Sequence, residues 1–72
     1  MYIVVQVDNF SGLNVGQMSV HDDWDEAVER VVSLAKEQCD VLENEIREEV
    51  ESDASFLDPN GEWLISIGQP EG

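Results

Sequence analysis

The chain has 72 residues, of which 42% are hydrophobic, and seventeen Asp and Glu against three Lys and Arg give it a formal net charge of −14. This length allows one domain with a thin core, because a chain of this size buries only about 60% of the surface that its unfolded form exposes, while the apolar content is too high for charge-driven disorder. The charge disfavours binding to naked nucleic acid and to anionic lipid, since both are themselves negatively charged.

Cysteine content and hydropathy limit the class of protein further. Cys39 is the only cysteine, so the chain forms no intramolecular disulfide and no cysteine-rich zinc site. The first residues lack a basic leader and a small-residue cleavage site, and no apolar run approaches the roughly 18 residues of a membrane span. We therefore expect a cytoplasmic protein that is neither secreted nor membrane-spanning.

The N-terminal part of the chain predicts a β-hairpin. Tyr2–Val7 is rich in β-branched residues, which favour a strand. Residues 9–16 contain two glycines and two asparagines, which supply turn geometry before the short run Gln17–Val20. The sequence thus predicts two strands joined by a long loop.

Asp23 and Glu26 match a capping box, in which their carboxylates face free N–H groups at the start of a helix. The pattern predicts a first helix from Trp24 to about Gln38. Its apolar residues recur at three- and four-residue spacing, which predicts one face packed against a sheet. These residues are Trp24, Ala27, Val28, Val31, Ala35 and Cys39, with Val32 and Leu34 widening the stripe.

A second helix is predicted because Asp40 and Glu43 repeat the Asp-x-x-Glu signature, although a kinked continuation of the first helix has the same pattern. Its apolar stripe is only one residue wide. That stripe consists of Leu42, Ile46 and Val50. Most of the remaining surface of this helix is predicted to be acidic.

The C-terminal part predicts a second hairpin. Ala54–Leu57 reads as a short strand, Asp58–Gly61 matches a type I turn, and Glu62–Ile67 reads as the return strand. We therefore predict one α+β domain over residues 1–72, with element order β-β-α-α-β-β and a small antiparallel sheet that carries both helices on one face. Gln69–Gly72 is predicted to be a frayed tail.

Acidic residues on and around the second helix are the strongest functional signal. Glu45 and Glu49 lie one turn apart, and side chains at this spacing are about 5–6 Å apart, comparable with phosphates along a nucleic-acid strand. A rigid row of carboxylates can therefore imitate a phosphate backbone. The predicted partner-binding residues are Glu43, Glu45, Glu48, Glu49, Glu51, Asp53, Asp25 and Glu29. The alternative interpretation is a solvated helix face.

Metal binding and catalysis find less support in the sequence. Asp58–Glu62 superficially resembles a calcium loop, but its glycine comes two positions early and Gln69 stands where a bidentate Glu is required. His21 has no readable nucleophile or orienting group, and Cys39 reads as a small buried hydrophobic residue. We expect no catalytic residue, no metal site and no cofactor, and hence a protein that is not an enzyme.

In length, net charge and the acidic helix from Glu43 to Asp53, the chain resembles small phage-encoded anti-defence proteins, including anti-CRISPR proteins and DNA mimics that block restriction enzymes or uracil-DNA glycosylase. The resemblance implies an inhibitor in the cytoplasm of a host cell. Its implied partner is a basic DNA-binding protein or a CRISPR effector subunit, whose DNA-binding groove the acidic surface occupies. No residue role is transferred from that class.

A different class of function is also compatible with the sequence. The chain can be a small structural or regulatory protein that binds through a hairpin edge or through the first loop, where Phe10 and Leu13 are apolar, with acidity serving only solubility. A homodimer is also left open.

Overall fold

The computed structural model describes residues 1–8 and 14–69. Four strands and two helices follow one another in the predicted order β-β-α-α-β-β. Their bounds are β1 Tyr2–Asp8, β2 Asn14–His21, α1 Trp24–Gln38, α2 Glu43–Asp53, β3 Ser55–Leu57 and β4 Trp63–Gly68. The loop residues Phe10 and Leu13, and the tail beyond Gln69, lie outside the described residues.

The strands form one antiparallel sheet in the order β2-β1-β4-β3. β1 is therefore central, and its pairing with β4 joins the two ends of the chain. The β1–β2 register shifts by one residue where Gln6 pairs with Gln17 and Val7 pairs with Val15, which leaves Gly16 as the extra residue of a bulge. Both helices cover the same face of the sheet, which confirms the predicted α+β architecture.

The core lies between that face and the helices. Val4 of β1 and Ile65 of β4 alternate with residues of the opposite face, and both are almost completely buried. α1 contributes Ala27, Val28, Val31, Val32, Leu34 and Ala35. Trp24 and Cys39, at the ends of the predicted stripe, are partly buried against this core. The predicted packing face of the first helix is therefore confirmed.

The helix starts differ from the sequence predictions. Asp23 is the N-cap of α1, but its side chain makes no capping hydrogen bond, so the predicted capping box does not form. α2 begins at Glu43 with Leu42 as its N-cap, not near Asp40, and Leu42 is 68% exposed, whereas Ile46 and Val50 are buried. The backbone is extended at Cys39 and at Leu42, which separates the two helices, and Leu42 is turned away from the core.

α2 ends at Ala54, whose φ of 56° lies in the left-handed region and reverses the chain into β3. Ala54 is thus a helix cap and not part of the strand predicted from 54. The predicted turn is confirmed, because the N–H of Gly61 donates to the carbonyl of Asp58 at 2.8 Å. The Asp58 carboxylate is buried and accepts the N–H of Glu62 at 3.1 Å, which fixes the loop.

A pair of hydrogen-bonded side-chain amides, one of them buried, ties the sheet to the end of α1. The side chains of Gln6 and Gln38 exchange hydrogen bonds of 2.8 and 2.9 Å, and Gln6 also donates to Asp8 at 2.8 Å. Because Gln6 is only 4% exposed, these bonds replace the water that it lost on folding. They fix where α1 ends relative to β1.

Candidate functional site

Acidic residues are concentrated on the helical side of the molecule. Thirteen of the seventeen Asp and Glu lie between Asp22 and Asp53, in the stretch that also contains all three Lys and Arg. The described strands contain one acidic residue, Asp8. We call the exposed carboxylates of α1 and α2 the acidic helical layer, which consists of Asp25, Glu26, Glu29, Glu37, Glu43, Glu45, Glu48, Glu51 and Asp53.

The narrow apolar stripe of α2 decides which of its carboxylates face solvent. Ile46 and Val50 are fully buried, so the opposite side of the helix points away from the protein. Glu48 lies on that opposite side, between Glu45 and Glu51, each three residues away. All three are exposed, and together they form a row along the outer surface.

Two cations neutralise one flank of this layer. Lys36 Nζ lies 3.4 Å from Glu43 Oε1, and Arg47 Nε lies 3.4 Å from Glu43 Oε2. Arg47 also pairs with Glu29 and so joins α2 to α1. Hydrogen bonding to Lys36, and then to Arg47, lowers the pKa of Glu43, while hydrogen bonding to Glu29 raises the pKa of Arg47.

These ion pairs predict a pH dependence. Because the pKa of Glu43 is lower in the folded protein than its ordinary value of 4.5, its stabilising effect is complete above about pH 4.5 and is lost as the pH falls through the folded pKa. Wild type should therefore lose its advantage in melting temperature over Glu43→Gln as the pH falls below 4.5, as thermal unfolding at pH 3 to 7 would measure. A constant difference across that range contradicts the prediction.

The matched control for this measurement is Glu45→Gln, because Glu45 has no ion-pair partner among residues 1–8 and 14–69. It removes the same charge from the same turn without breaking a pair. Glu45→Gln should raise the melting temperature slightly at pH 7, since it relieves like-charge repulsion within the row.

Glu49 has a structural contact as well as a charge. Its Oε2 accepts the backbone N–H of Leu57 at 2.9 Å, on the outer edge of β3. An unpaired N–H at a sheet edge is a site for pairing with another chain, and the carboxylate satisfies it within the protein. Glu49, predicted to bind a partner, is thus already engaged with β3.

We expect Glu49→Ala to destabilise the fold by about 1 kcal/mol, because the N–H of Leu57 loses its acceptor. Glu49→Gln should cost less, since its amide oxygen still accepts the bond. Urea denaturation of the two variants checks this difference. Equal stabilities would show that the contact contributes only through charge.

The eight predicted partner-binding residues therefore separate into two groups. Glu29 and Glu43 are ion-paired and Glu49 holds β3, so these three are partly committed to the fold. The remaining five are exposed and form the part of the layer that can face a partner. They are Asp25, Glu45, Glu48, Glu51 and Asp53.

Metal-binding geometry does not appear in the described residues, where no group of three or more His, Cys, Asp or Glu is placed to hold an ion. Asp58 uses its carboxylate within the turn. A groove of about 400 Å³ lies between this turn and the segment that joins the helices. The residues that line this groove include Asp40, Asp58, Glu62 and Trp63. Cys39 also lines it, and its thiol donates a hydrogen bond to the carbonyl of Ala35 at 3.2 Å.

His21 has neighbours that the sequence did not reveal. Its Nε2 lies 2.8 Å from the Ser19 hydroxyl, two residues earlier on the same face of β2, and its Nδ1 lies 3.9 Å from Glu26 Oε1. The Ser19 contact was not predicted from the sequence, but it does not by itself make a nucleophile-base-orienter arrangement. The distance to Glu26 exceeds a hydrogen bond, so the carboxylate does not hold the imidazole as an orienting group does.

The face of the sheet opposite the helices is apolar, which the sequence analysis missed. Residues paired across antiparallel strands point to the same side, so the partners of Ile3, Val5 and Val7 share their face. We call this the open sheet face and define it by Ile3, Val5, Val7, Met18, Val20, Ser55, Leu57, Leu64 and Ser66. The consecutive β-branched residues of β1 were the available signal, because a strand with one solvated face alternates with polar residues.

No helix in the described parts of the chain has both the length and the apolar character needed to cross a membrane. Comparisons of the chain with known protein families, with curated proteins and with solved structures give no match.

Proposed function

We propose that this protein is an inhibitory binding module that places its acidic helical layer in the basic groove of a nucleic-acid-binding protein, in the manner of DNA-mimic and anti-CRISPR inhibitors. Carboxylates take the positions of phosphates, so the protein and DNA compete for the same Lys and Arg side chains. The protein itself acts by binding, and any reaction that it blocks is carried out by its target.

The observation that carries this proposal is the segregation of charge. Thirteen acidic residues lie in the helical segment and one lies in the described strands, so the electrostatic field is strong on one side of the molecule. A solubilising charge needs no such concentration, because carboxylates spread over all surfaces keep a protein soluble equally well.

The row of Glu45, Glu48 and Glu51 is the part of the layer that best fits a phosphate-binding groove. Like charges three residues apart on a helix each cost up to roughly 0.5 kcal/mol, and among the described residues no Lys or Arg forms an ion pair with this row. Lys or Arg from a partner would relieve that repulsion, so binding gains from both attraction and lost self-repulsion.

The proposal is tested by a pull-down of purified DNA-binding effectors, including CRISPR effector complexes and uracil-DNA glycosylase, followed by a gel shift in which this protein competes with a labelled duplex. We expect at least one effector to release DNA at saturating protein. Affinity should fall steeply between 0.05 and 0.5 M NaCl, because both partners are highly charged.

DNA loading that is unaffected for every captured effector would contradict the proposal. A complex whose affinity does not depend on salt would contradict it as well, because it would place the contact outside the acidic helical layer.

A further inference from the structure

We infer that the open sheet face is a self-association surface, on which a second copy of this chain packs sheet against sheet with the acidic helical layers on the two outer sides. This inference is independent of the proposed function, because it concerns the opposite surface of the molecule.

Three rows of side chains across the sheet make this face. Met18, Val5 and Ser66 form the middle row, with Val20 and Ile3 on one side of it and Val7, Leu64 and Leu57 on the other. Met18 is 63% exposed, Val20 57% and Leu57 55%, so the apolar surface is accessible. No charged side chain belongs to these described rows.

The net charge of the chain indicates that a second copy packs on the open sheet face. Two chains of net charge −14 repel each other through their helical sides, so the uncharged face is the surface on which two copies can meet. Sheets packed face to face lie about 10 Å apart, which places the two acidic layers at least about 30 Å from each other. That separation is more than three Debye lengths at 0.15 M salt, where the length is about 8 Å, so the remaining repulsion is weak.

The chemistry of the face also favours a second copy over an unrelated protein. A two-fold interface brings the same patch together from both partners, and apolar rows satisfy this requirement without any polar pairing. Recognition of a different protein normally uses polar and charged anchors around an apolar centre. The only polar side chains of the open sheet face are the small hydroxyls of Ser55 and Ser66.

The size of the face predicts a reversible dimer. Four strands about 4.8 Å apart and about six residues long give a flat footprint of roughly 400 Å² for each copy. The pair thus covers about 800 Å², which is below the roughly 1,200–2,000 Å² of permanent complexes. Monomer and dimer should therefore interconvert as the concentration changes.

Sedimentation velocity of the full chain from 10 μM to 1 mM in 0.15 M NaCl tests the inference. We expect the average mass to rise from monomer to dimer across this range. Met18→Lys and Val20→Lys should each raise the dimer dissociation constant at least tenfold, because each places two unpaired ammonium groups in the interface. Both variants lower the net negative charge, so relief of general repulsion would act in the opposite direction.

Leu42→Lys is the matched control, because Leu42 is an equally exposed apolar residue that lies between the helices. It should change the dissociation constant less than twofold. Circular dichroism confirms that each variant is folded, and the NMR signal of the Met18 methyl group in the wild-type chain reports on the face without any substitution. We expect this signal to shift with concentration.

Wild type that stays monomeric at 1 mM would overturn the inference. A dimer that leaves the Met18 methyl signal unchanged, or that Leu42→Lys weakens as much as Met18→Lys, would also overturn it. The dependence of affinity on salt concentration distinguishes self-association through the open sheet face from the proposed binding through the acidic helical layer. From 0.05 to 0.5 M NaCl self-association should hold or tighten, whereas binding through the acidic helical layer should weaken.

Discussion

Glu48→Lys should weaken the displacement of DNA from a captured effector at least tenfold, measured as the protein concentration that releases half of the labelled duplex. Glu48 is exposed on the side of α2 opposite Ile46 and Val50, so it lies at the centre of the carboxylate row. Reversing its charge removes one attractive contact and places a cation against the partner's own cations. A tenfold loss needs only about 1.4 kcal/mol, and like charges facing each other in an interface cost more than that.

Glu62→Lys is the control for this experiment. It makes the same change in net charge at an exposed position in the β3–β4 turn, outside the helices. Its effect should be less than threefold, since it alters only the long-range attraction. If the two variants weakened displacement equally, total charge and not the acidic helical layer would drive binding.

Sequence periodicity was sufficient to predict the fold because most elements have strong and separate signals. α1 combines a broad apolar stripe with a polar outer face, and it spans Trp24–Gln38, as predicted from Trp24 to about Gln38. The turn at Asp58–Gly61 has residue types that favour a tight reversal, and the structure contains it. These local preferences agree with the tertiary packing, so prediction from the sequence alone succeeded.

The start of α2 could not be predicted in the same way. Asp40 has the residue type of an N-cap, but the extended backbone at Cys39 and Leu42 carries the chain across the end of the core before the helix begins. Tertiary packing therefore overrides a capping preference worth about 1 kcal/mol. The sequence spacing of Leu42 matches the apolar stripe of α2, but its backbone is extended, so its side chain does not pack with Ile46 and Val50.

The sequence predicted which residues make up the candidate site, but not how their side chains are arranged. The sequence identified the acidic residues of α2, but it gave no sign that Arg47 reaches Glu29 on the other helix or that Glu49 holds the edge of β3. Both contacts join residues at least eight positions apart. The open sheet face was missed for a related reason, since it becomes visible only when the pairing of β1 with β2 and β4 is known.

Ile46→Ala should lower the free energy of unfolding by about 3 kcal/mol, within the roughly 2–5 kcal/mol measured for such truncations in protein cores. Ile46 is fully buried, and only it and Val50 are buried from α2. A domain of 72 residues has a total stability of about 4–11 kcal/mol, so this single change removes a large share of it. Urea denaturation followed by the fluorescence of the tryptophans, Trp63 being buried, measures the change.

Leu42→Ala removes a similar aliphatic side chain at the first position of the predicted stripe, where it is 68% exposed. It should change the stability by less than about 0.5 kcal/mol, because little apolar surface returns to water. Equal losses for Leu42→Ala and Ile46→Ala would mean that Leu42 packs in solution and that α2 begins earlier than Glu43. A large loss for Ile46→Ala alone would show that Ile46, and not Leu42, anchors the acidic helix to the core and so keeps its carboxylate row oriented toward solvent.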